Sequence, residues 1–186
     1  MFPRHAGYLK ADSARTEKWR RRLQDLGPGR KIGVSWTGGV RKTGRGLRSL
    51  TLDRFLPLMS LPDTHFISLQ YTPDAEKQVE QFSKAHRISL HHWPEAIDDY
   101  EETAALVSAV DMVVSVCTSV VHLCGALNRP AWVLAPFSPE WRYGFRGASM
   151  PWYPSVRIFR QERFGDWAQV LVNVQAELAR QAAPVA

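Results

Sequence analysis

Short apolar segments alternate with helical patterns six times along this chain, and that alternation is the strongest constraint on its fold. Each segment is four to six residues long and almost continuously hydrophobic, as in strands buried on both faces. Helices between successive strands make the strands parallel, with right-handed crossovers. We therefore predict an α/β fold, a Rossmann-like parallel sheet of about six strands with helices on both faces. The predicted strands are residues 31–36, 65–70, 88–92, 112–116, 131–135 and 156–159.

Length and composition indicate one domain. The chain has 186 residues, of which 45% are hydrophobic and 23% charged, enough for a sizeable core. Residues 1–11 have no periodic pattern and are expected to be a leader or linker, so residues 12–186 form the Rossmann-like domain. Residues 94–100 are predicted to be an acidic loop. The predicted helices cover residues 13–26, 51–59, 72–85, 102–110, 119–127 and 166–181.

Positive charge is concentrated in the first third of the chain. Residues 1–50 contain 13 Lys and Arg but only 3 Asp and Glu, within an overall net charge of +6. Such a surface suits a polyanion: nucleic acid, anionic lipid or a phosphorylated small molecule. A solvated helix face is the alternative for residues 20–22.

Several classes of protein are disfavoured by the sequence. The first twenty residues lack the apolar core of a secretory signal, and Asp111 interrupts the most membrane-like stretch, so a cytoplasmic domain without a membrane span is expected. Cys117 and Cys124 are seven residues apart and are expected to be buried free thiols. The acidic residues between Asp98 and Glu102 suit the first turn of a helix better than a metal site. We expect neither a metal nor a cofactor.

Ligands of parallel α/β sheets bind at the carboxyl ends of the strands. In this chain the rule selects residues 36–48, 70–71, 93–99 and 117–122. The first segment contains Thr37, Gly38 and Gly39, followed by Arg41 and Lys42, and its glycines allow backbone amides to approach a diphosphate. It matches neither the P-loop nor the dinucleotide-binding fingerprint, so an ordinary flexible loop remains an alternative.

A second candidate anion site lies where the fourth strand passes into a helix. Thr118 and Ser119 open that helix, whose free amides and dipole favour an anion, and His122 lies one turn later. The two hydroxyls could instead cap the helix, and the histidine could belong to the core.

Short motifs follow one another in an order that resembles a known family. They are GVSWTGG at 33–39, RSL at 48–50, SLQ at 68–70, IDDYEETAAL at 97–106, DMVVSV at 111–116, TS at 118–119, HLCGAL at 122–127, WR at 141–142 and PWYP at 151–154. Together they resemble the carboxyl-terminal half of GT-B glycosyltransferases. The branch that they resemble most is the one related to ADP-heptose:lipopolysaccharide heptosyltransferases, whose members are often fused to tetratricopeptide repeats.

The resemblance implies a donor domain that binds a nucleoside-diphosphate sugar for metal-independent glycosyl transfer. Fixed amides, hydroxyls and cations would stabilise the diphosphate leaving group. No catalytic base can be assigned in this chain. The implied substrate-binding residues are Trp36, Thr37, Gly38, Gly39, Lys42, Arg48, Gln70, Asp98, Thr118, Ser119 and His122.

Two features depart from that family. Cys117 occupies a position where relatives usually have Asp or Asn, and the chain has the length of only one of the two GT-B domains. A separate or missing acceptor domain is therefore expected, and the chain alone is expected to bind donor without transferring sugar. The alternatives are a basic nucleic-acid-binding module, a non-catalytic nucleotide-binding domain and a Rossmann oxidoreductase, although groove-reading motifs and the dinucleotide fingerprint are both missing.

Overall fold

Six parallel strands form a single sheet in a computed structural model that describes residues 6–40, 42 and 44–182. The strand order is β3-β2-β1-β4-β5-β6. All six predicted strands are present, so the predicted Rossmann-like α/β fold is confirmed. The strands are β1 (Arg30–Ser35), β2 (Thr64–Ser68), β3 (Leu90–His92), β4 (Met112–Val116), β5 (Ala131–Ala135) and β6 (Val156–Arg160).

Helices connect the strands. They are α1 (Ser13–Gln24), α2 (Arg45–Arg48), α3 (Leu56–Met59), α4 (Ala75–His86), α5 (Glu95–Asp98), α6 (Tyr100–Ala109), α7 (Ser119–Ala126) and α8 (Trp167–Ala182), with 3₁₀ turns at Leu52–Phe55 and Trp141–Tyr143. Within the described residues, no helix is long and apolar enough to cross a membrane.

The direction in which strands are added to the sheet reverses at β1. Val34 of this central strand is in register with Ser68 of β2 on one side and with Val114 of β4 on the other. From β1 the chain builds outwards through β2 and β3, then crosses back to β4 and continues to β6. Because the connections after β1 and β4 leave in opposite directions, a crevice opens between them at the carboxyl edge.

Two apolar cores cover the two faces of the sheet. On one face, Trp19 of α1 and Leu106 of α6 pack with Val113 of β4. On the other, Val174 of α8 packs with Val114. The neighbours Val113 and Val114 point to opposite faces, which is why β4 reads as a continuous apolar run.

Two local predictions were wrong, and both involve proline. The predicted acidic loop contains the helical turn α5, because Pro94 at the N-cap has a backbone already suited to a helix and acidic residues favour the first turn. The single helix predicted over 51–59 is a 3₁₀ turn followed by α3. Pro57 cannot donate an α-helical hydrogen bond to Asp53, so the tighter turn replaces the first part of the helix.

The segment before α1 packs on the domain. The amides of Tyr8 and Leu9 both donate to the carbonyl of Ala126, at 2.8 and 3.0 Å. The Tyr8 hydroxyl also lies 3.1 Å from that of Tyr153. Part of the predicted linker thus satisfies a carbonyl at the carboxyl end of α7, whereas residues 1–5 lie outside the described residues.

Acidic residues neutralise much of the positive charge of α1. Arg15 Nη1 lies 2.5 Å from Asp99 Oδ2, and Arg22 Nη1 lies 2.5 Å from Glu95 Oε1. Lys18 is also within 3.9 Å of Glu102. The basic face expected from composition therefore meets the acidic stretch that precedes and begins α6, and it is not a uniformly positive surface for a polyanion.

Candidate functional site

A cavity of about 410 Å³ lies at the carboxyl edge of the sheet. Residues that follow β1 and residues that follow β4 line it, and the strand order reverses between these two strands. The cavity contains backbone from two loops, two arginines and the first turn of α7, all in a position typical of ligand sites in such sheets. Its lining residues are Gly39, Arg48, Tyr71, Cys117, Thr118, Ser119, His122, Glu140, Arg142 and Tyr143.

The loop after β1 touches the loop after β4 at Gly38. A Cβ on Gly38 would lie 2.5 Å from the Cys117 carbonyl oxygen and 2.8 Å from Cγ2 of Thr118. Only glycine lets the two loops approach this closely. The next residue, Gly39, has φ +76°, and the guanidinium of Arg48 occupies the space that a side chain there would need.

Gln70 supports the loop after β1 from inside the protein. This fully buried side chain accepts hydrogen bonds from the amides of Trp36 and Thr37, each at 3.0 Å. Its Nε2 donates to the Thr37 carbonyl at 3.1 Å. Gln70 therefore fixes the shape of the loop and does not line the cavity.

We expect Gln70→Met to destabilise this loop. The substitution keeps the length of the side chain but leaves two buried amides without their acceptor, at about 1–3 kcal/mol for each. Chemical denaturation monitored by circular dichroism would measure the loss. The exposed Gln81 on α4 provides the matched control, because Gln81→Met removes no buried hydrogen bond. Equal stabilities of the two variants would contradict the bracing role.

Trp36 and Thr37 also lie away from the cavity. Trp36 is fully buried in the core, where its indole nitrogen donates to Gln78 at 2.7 Å. Thr37 lines a different cavity of about 420 Å³, between the loop and α4. Both residues were predicted to bind substrate, and neither is among the residues that line the 410 Å³ cavity.

The amino terminus of α7 opens into the cavity without a side-chain cap. Thr118 is the N-cap residue, but its hydroxyl lies 2.9 Å from that of Ser115 and makes no capping hydrogen bond. Ser119 is exposed and lines the cavity. The first amides of a helix have no acceptor within the helix, so this end of α7 can bind an anion and the helix dipole favours it.

A carboxylate joins the two arginines of the cavity. Glu140 Oε1 pairs with Arg48 Nη1, and Glu140 Oε2 lies 2.8 Å from Arg142 Nη1. Arg48 was predicted to bind substrate, but Glu140 was not, and Arg142 entered the sequence analysis only as part of the WR motif at 141–142. Glu140 and Arg142 belong to the irregular segment that follows β5, and the carboxyl-end rule would have found them had it been applied to that strand.

Two further lining residues were also missed. Tyr71 accepts a hydrogen bond from the Gly39 amide at 3.1 Å, although it directly follows the predicted Gln70. Tyr143 contacts the buried Cys117, and burial raises the pKa of that thiol to about 12. The Cys117 thiol is therefore neutral at pH 7, and it brings no charge to the cavity.

His122 is half-buried between two aromatic rings. The ring centres of Tyr143 and Tyr153 lie 5.8 and 5.9 Å from that of the histidine. Burial, and then the charge of Arg142, lower its pKa. The neutral imidazole consequently predominates at pH 7, so His122 can contribute a hydrogen bond to a ligand but little positive charge.

Three more of the predicted substrate-binding residues are not among those that line the cavity: Gly38, Lys42 and Asp98. Lys42 is exposed in the loop after β1, and Asp98 is exposed at the end of α5. Arg41 lies outside the described residues. In the part of the chain that the structure covers, no group of three or more His, Cys, Asp or Glu side chains is arranged to hold a metal ion.

Comparison with models of known protein families found no match. Among curated proteins, Protein FlbA of Caulobacter vibrioides is 33% identical over 181 residues, which represent 95% of this chain and 30% of FlbA. The chain thus spans less than a third of the length of this relative.

Solved structures with the same fold include glycosyltransferases. E. coli ADP-heptose LPS heptosyltransferase II has a TM-score of 0.62 at 15% identity, over 94% of this chain and 54% of its own. E. coli heptosyltransferase WaaC with ADP has a TM-score of 0.62 at 15% identity, over 83% and 45%. A glycosyl transferase family 9 protein from Veillonella parvula has a TM-score of 0.63 at 10% identity, over 97% and 48%.

These matches describe the architecture of the chain. It spans about half the length of each of the three structures. Its single parallel sheet has the fold of one half of a GT-B glycosyltransferase.

Proposed function

We propose that this chain is the donor domain of a glycosyltransferase and binds a nucleoside-diphosphate sugar in the 410 Å³ cavity. The observation that carries the proposal is the convergence, at the reversal of strand order, of an uncapped helix terminus with two arginines. One of the similar structures contains ADP, and another is named for ADP-heptose. Those names support a nucleotide donor for this chain as well.

The chemistry of the cavity suits a diphosphate leaving group. When a glycosyl group leaves its donor, negative charge accumulates on the diphosphate. The amides at the start of α7 and the hydroxyl of Ser119 would donate hydrogen bonds to that charge, while Arg48 and Arg142 would offset it. These groups are held by the fold before the ligand arrives, so such stabilisation requires no metal.

In this function, the chain binds the sugar donor and a second domain holds the acceptor. No side chain around the cavity is assigned as the base that would activate an acceptor. The solved structures of similar fold are about twice as long as this chain, which supports a division of the work between two domains. We accordingly propose that sugar transfer, in the cytoplasm, needs that second domain.

Ser119→Pro is expected to weaken binding of nucleoside diphosphates by about a hundredfold or more. Proline is tolerated at the first position of a helix, and the extended backbone of Thr118, with φ −132° and ψ 170°, suits a residue before proline. The change removes one amide and one hydroxyl donor, each worth about 1.5–3 kcal/mol with a charged acceptor. Calorimetric titration with ADP, UDP and GDP would measure the effect and identify the preferred base.

Ser119→Ala separates the two contributions, because it removes the hydroxyl and keeps the amide. We expect its affinity to lie between those of the wild type and Ser119→Pro, with the same thermal midpoint for all three proteins. A Ser119→Pro variant that is folded and binds as tightly as the wild type would place the diphosphate elsewhere.

A further inference from the structure

Glu140 is a carboxylate in a cavity that otherwise favours anions. One of its oxygens pairs with Arg48 and the other with Arg142, which are the cations among the described residues that line the cavity. A negative side chain at this position would repel a diphosphate and weaken its binding, so its presence requires an explanation.

The burial of Arg48 explains why a carboxylate is needed when no ligand is bound. The Arg48 side chain is only 10% exposed and lies against the backbone of Gly39. A guanidinium removed from water to this extent is costly unless an anion accompanies it. Glu140 supplies that anion from the segment after β5, 92 residues away in sequence.

The Glu140 side chain is less buried than that of Arg48. Its side chain is 36% exposed, and its backbone is extended just before the 3₁₀ turn Trp141–Tyr143. Arg142, which it also contacts, is 45% exposed. The carboxylate can therefore turn towards water without the burial of an unpaired charge, whereas the Arg48 guanidinium cannot.

We propose that Glu140 is an internal counter-ion, which the diphosphate of the ligand displaces from Arg48 and Arg142. This inference rests on the proposed function. Before binding, the described residues that line the cavity carry two positive charges and one negative charge. After binding, phosphate oxygens pair with the two arginines and the carboxylate faces water. Glu140 thus stabilises the empty site, lowers its affinity for anions and eases release of the nucleoside diphosphate.

Glu140→Gln tests the exchange, because glutamine can still accept a hydrogen bond from an arginine but has no charge. We expect ADP, UDP or GDP, whichever the wild type prefers, to bind about tenfold more tightly at low ionic strength. The unliganded variant should melt at a lower temperature, since Arg48 has lost its counter-ion, and nucleotide should raise that temperature more than in the wild type. Calorimetric titration measures the affinity, and thermal denaturation with and without nucleotide measures the melting temperatures.

Glu162→Gln is the charge-matched control. Glu162 is exposed just after β6 and does not line this cavity, so its substitution changes the net charge equally. We expect wild-type affinity for this variant. An equal gain in affinity from Glu162→Gln would mean that only net charge matters and would overturn the inference.

Other outcomes separate the inference from the proposed function. If the wild type binds nucleotide but Glu140→Gln binds equally or more weakly, Glu140 does not compete with the ligand and the inference fails. If the wild type binds no nucleoside diphosphate, the proposed function itself fails. Should Glu140→Gln not fold, a crystal structure of the wild type with nucleotide decides: Glu140 still joined to both arginines would contradict the exchange.

Discussion

Val174→Asp in α8 is expected to prevent the domain from folding. Val174 is fully buried and belongs, with Val114 of β4, to the apolar core on that face of the sheet. An uncompensated charge in such a position costs about 3–5 kcal/mol, and the lost apolar contacts add to it. The total is comparable with the whole stability of a domain of this size. Circular dichroism during thermal denaturation would show the missing cooperative transition.

Val172→Asp is the matched control on the same helix. Val172 is 56% exposed, so an aspartate there remains in water and should change the free energy of unfolding by less than about 1 kcal/mol. A cooperative transition near the wild-type midpoint in Val174→Asp would show that α8 is not integral to the domain.

Gly38→Ala is expected to abolish measurable nucleotide binding while the protein remains folded. The added methyl group would lie 2.5 Å from the Cys117 carbonyl oxygen, and backbone cannot yield as a flexible side chain does. The two loops must therefore separate, at a cost of about 1–3 kcal/mol, and Arg48 would move relative to the start of α7. Calorimetric titration with the preferred nucleoside diphosphate measures the loss.

Gly46→Ala provides the control within the same connection. Gly46 lies in α2, where a Cβ would meet no atom within 4 Å, and alanine favours a helix more than glycine does. We expect unchanged nucleotide affinity and equal or slightly greater stability. If Gly38→Ala also retained wild-type affinity, close contact between the two loops would not be needed for binding.

The fold was predictable because its signal is local and repeated. A continuous apolar run such as 112–116 predicts a buried strand, and helical patterns between such runs leave parallel pairing as the outcome. The helix predicted over 166–181 is α8, and its apolar residues Val170, Val174 and Leu178, which are spaced along one helix face, are buried. The wrong local predictions, at 51–59 and 94–100, arose where proline decides between a loop, a 3₁₀ turn and an α-helix.

Part of the candidate site was predictable for the same reason. Carboxyl ends of parallel strands meet at one edge, so the sequence placed Gly39, Arg48 and Ser119 together, and the cavity contains all three. The direction of each side chain was not predictable. Gln70 and Trp36 belong to the same edge but point into the protein, where Gln70 supports the loop and Trp36 completes the core.

The sequence by itself determined the order of strands and helices along the chain, the two buried faces and the edge at which we propose that a ligand binds, because periodicity and chain connectivity are properties of neighbouring residues. Only the tertiary structure decided which charges meet. Glu140 reaches Arg48 across the cavity, and the acids near Asp99 neutralise the basic face of α1. Such pairs depend on where distant loops and helices converge in space, and no local pattern specifies that convergence.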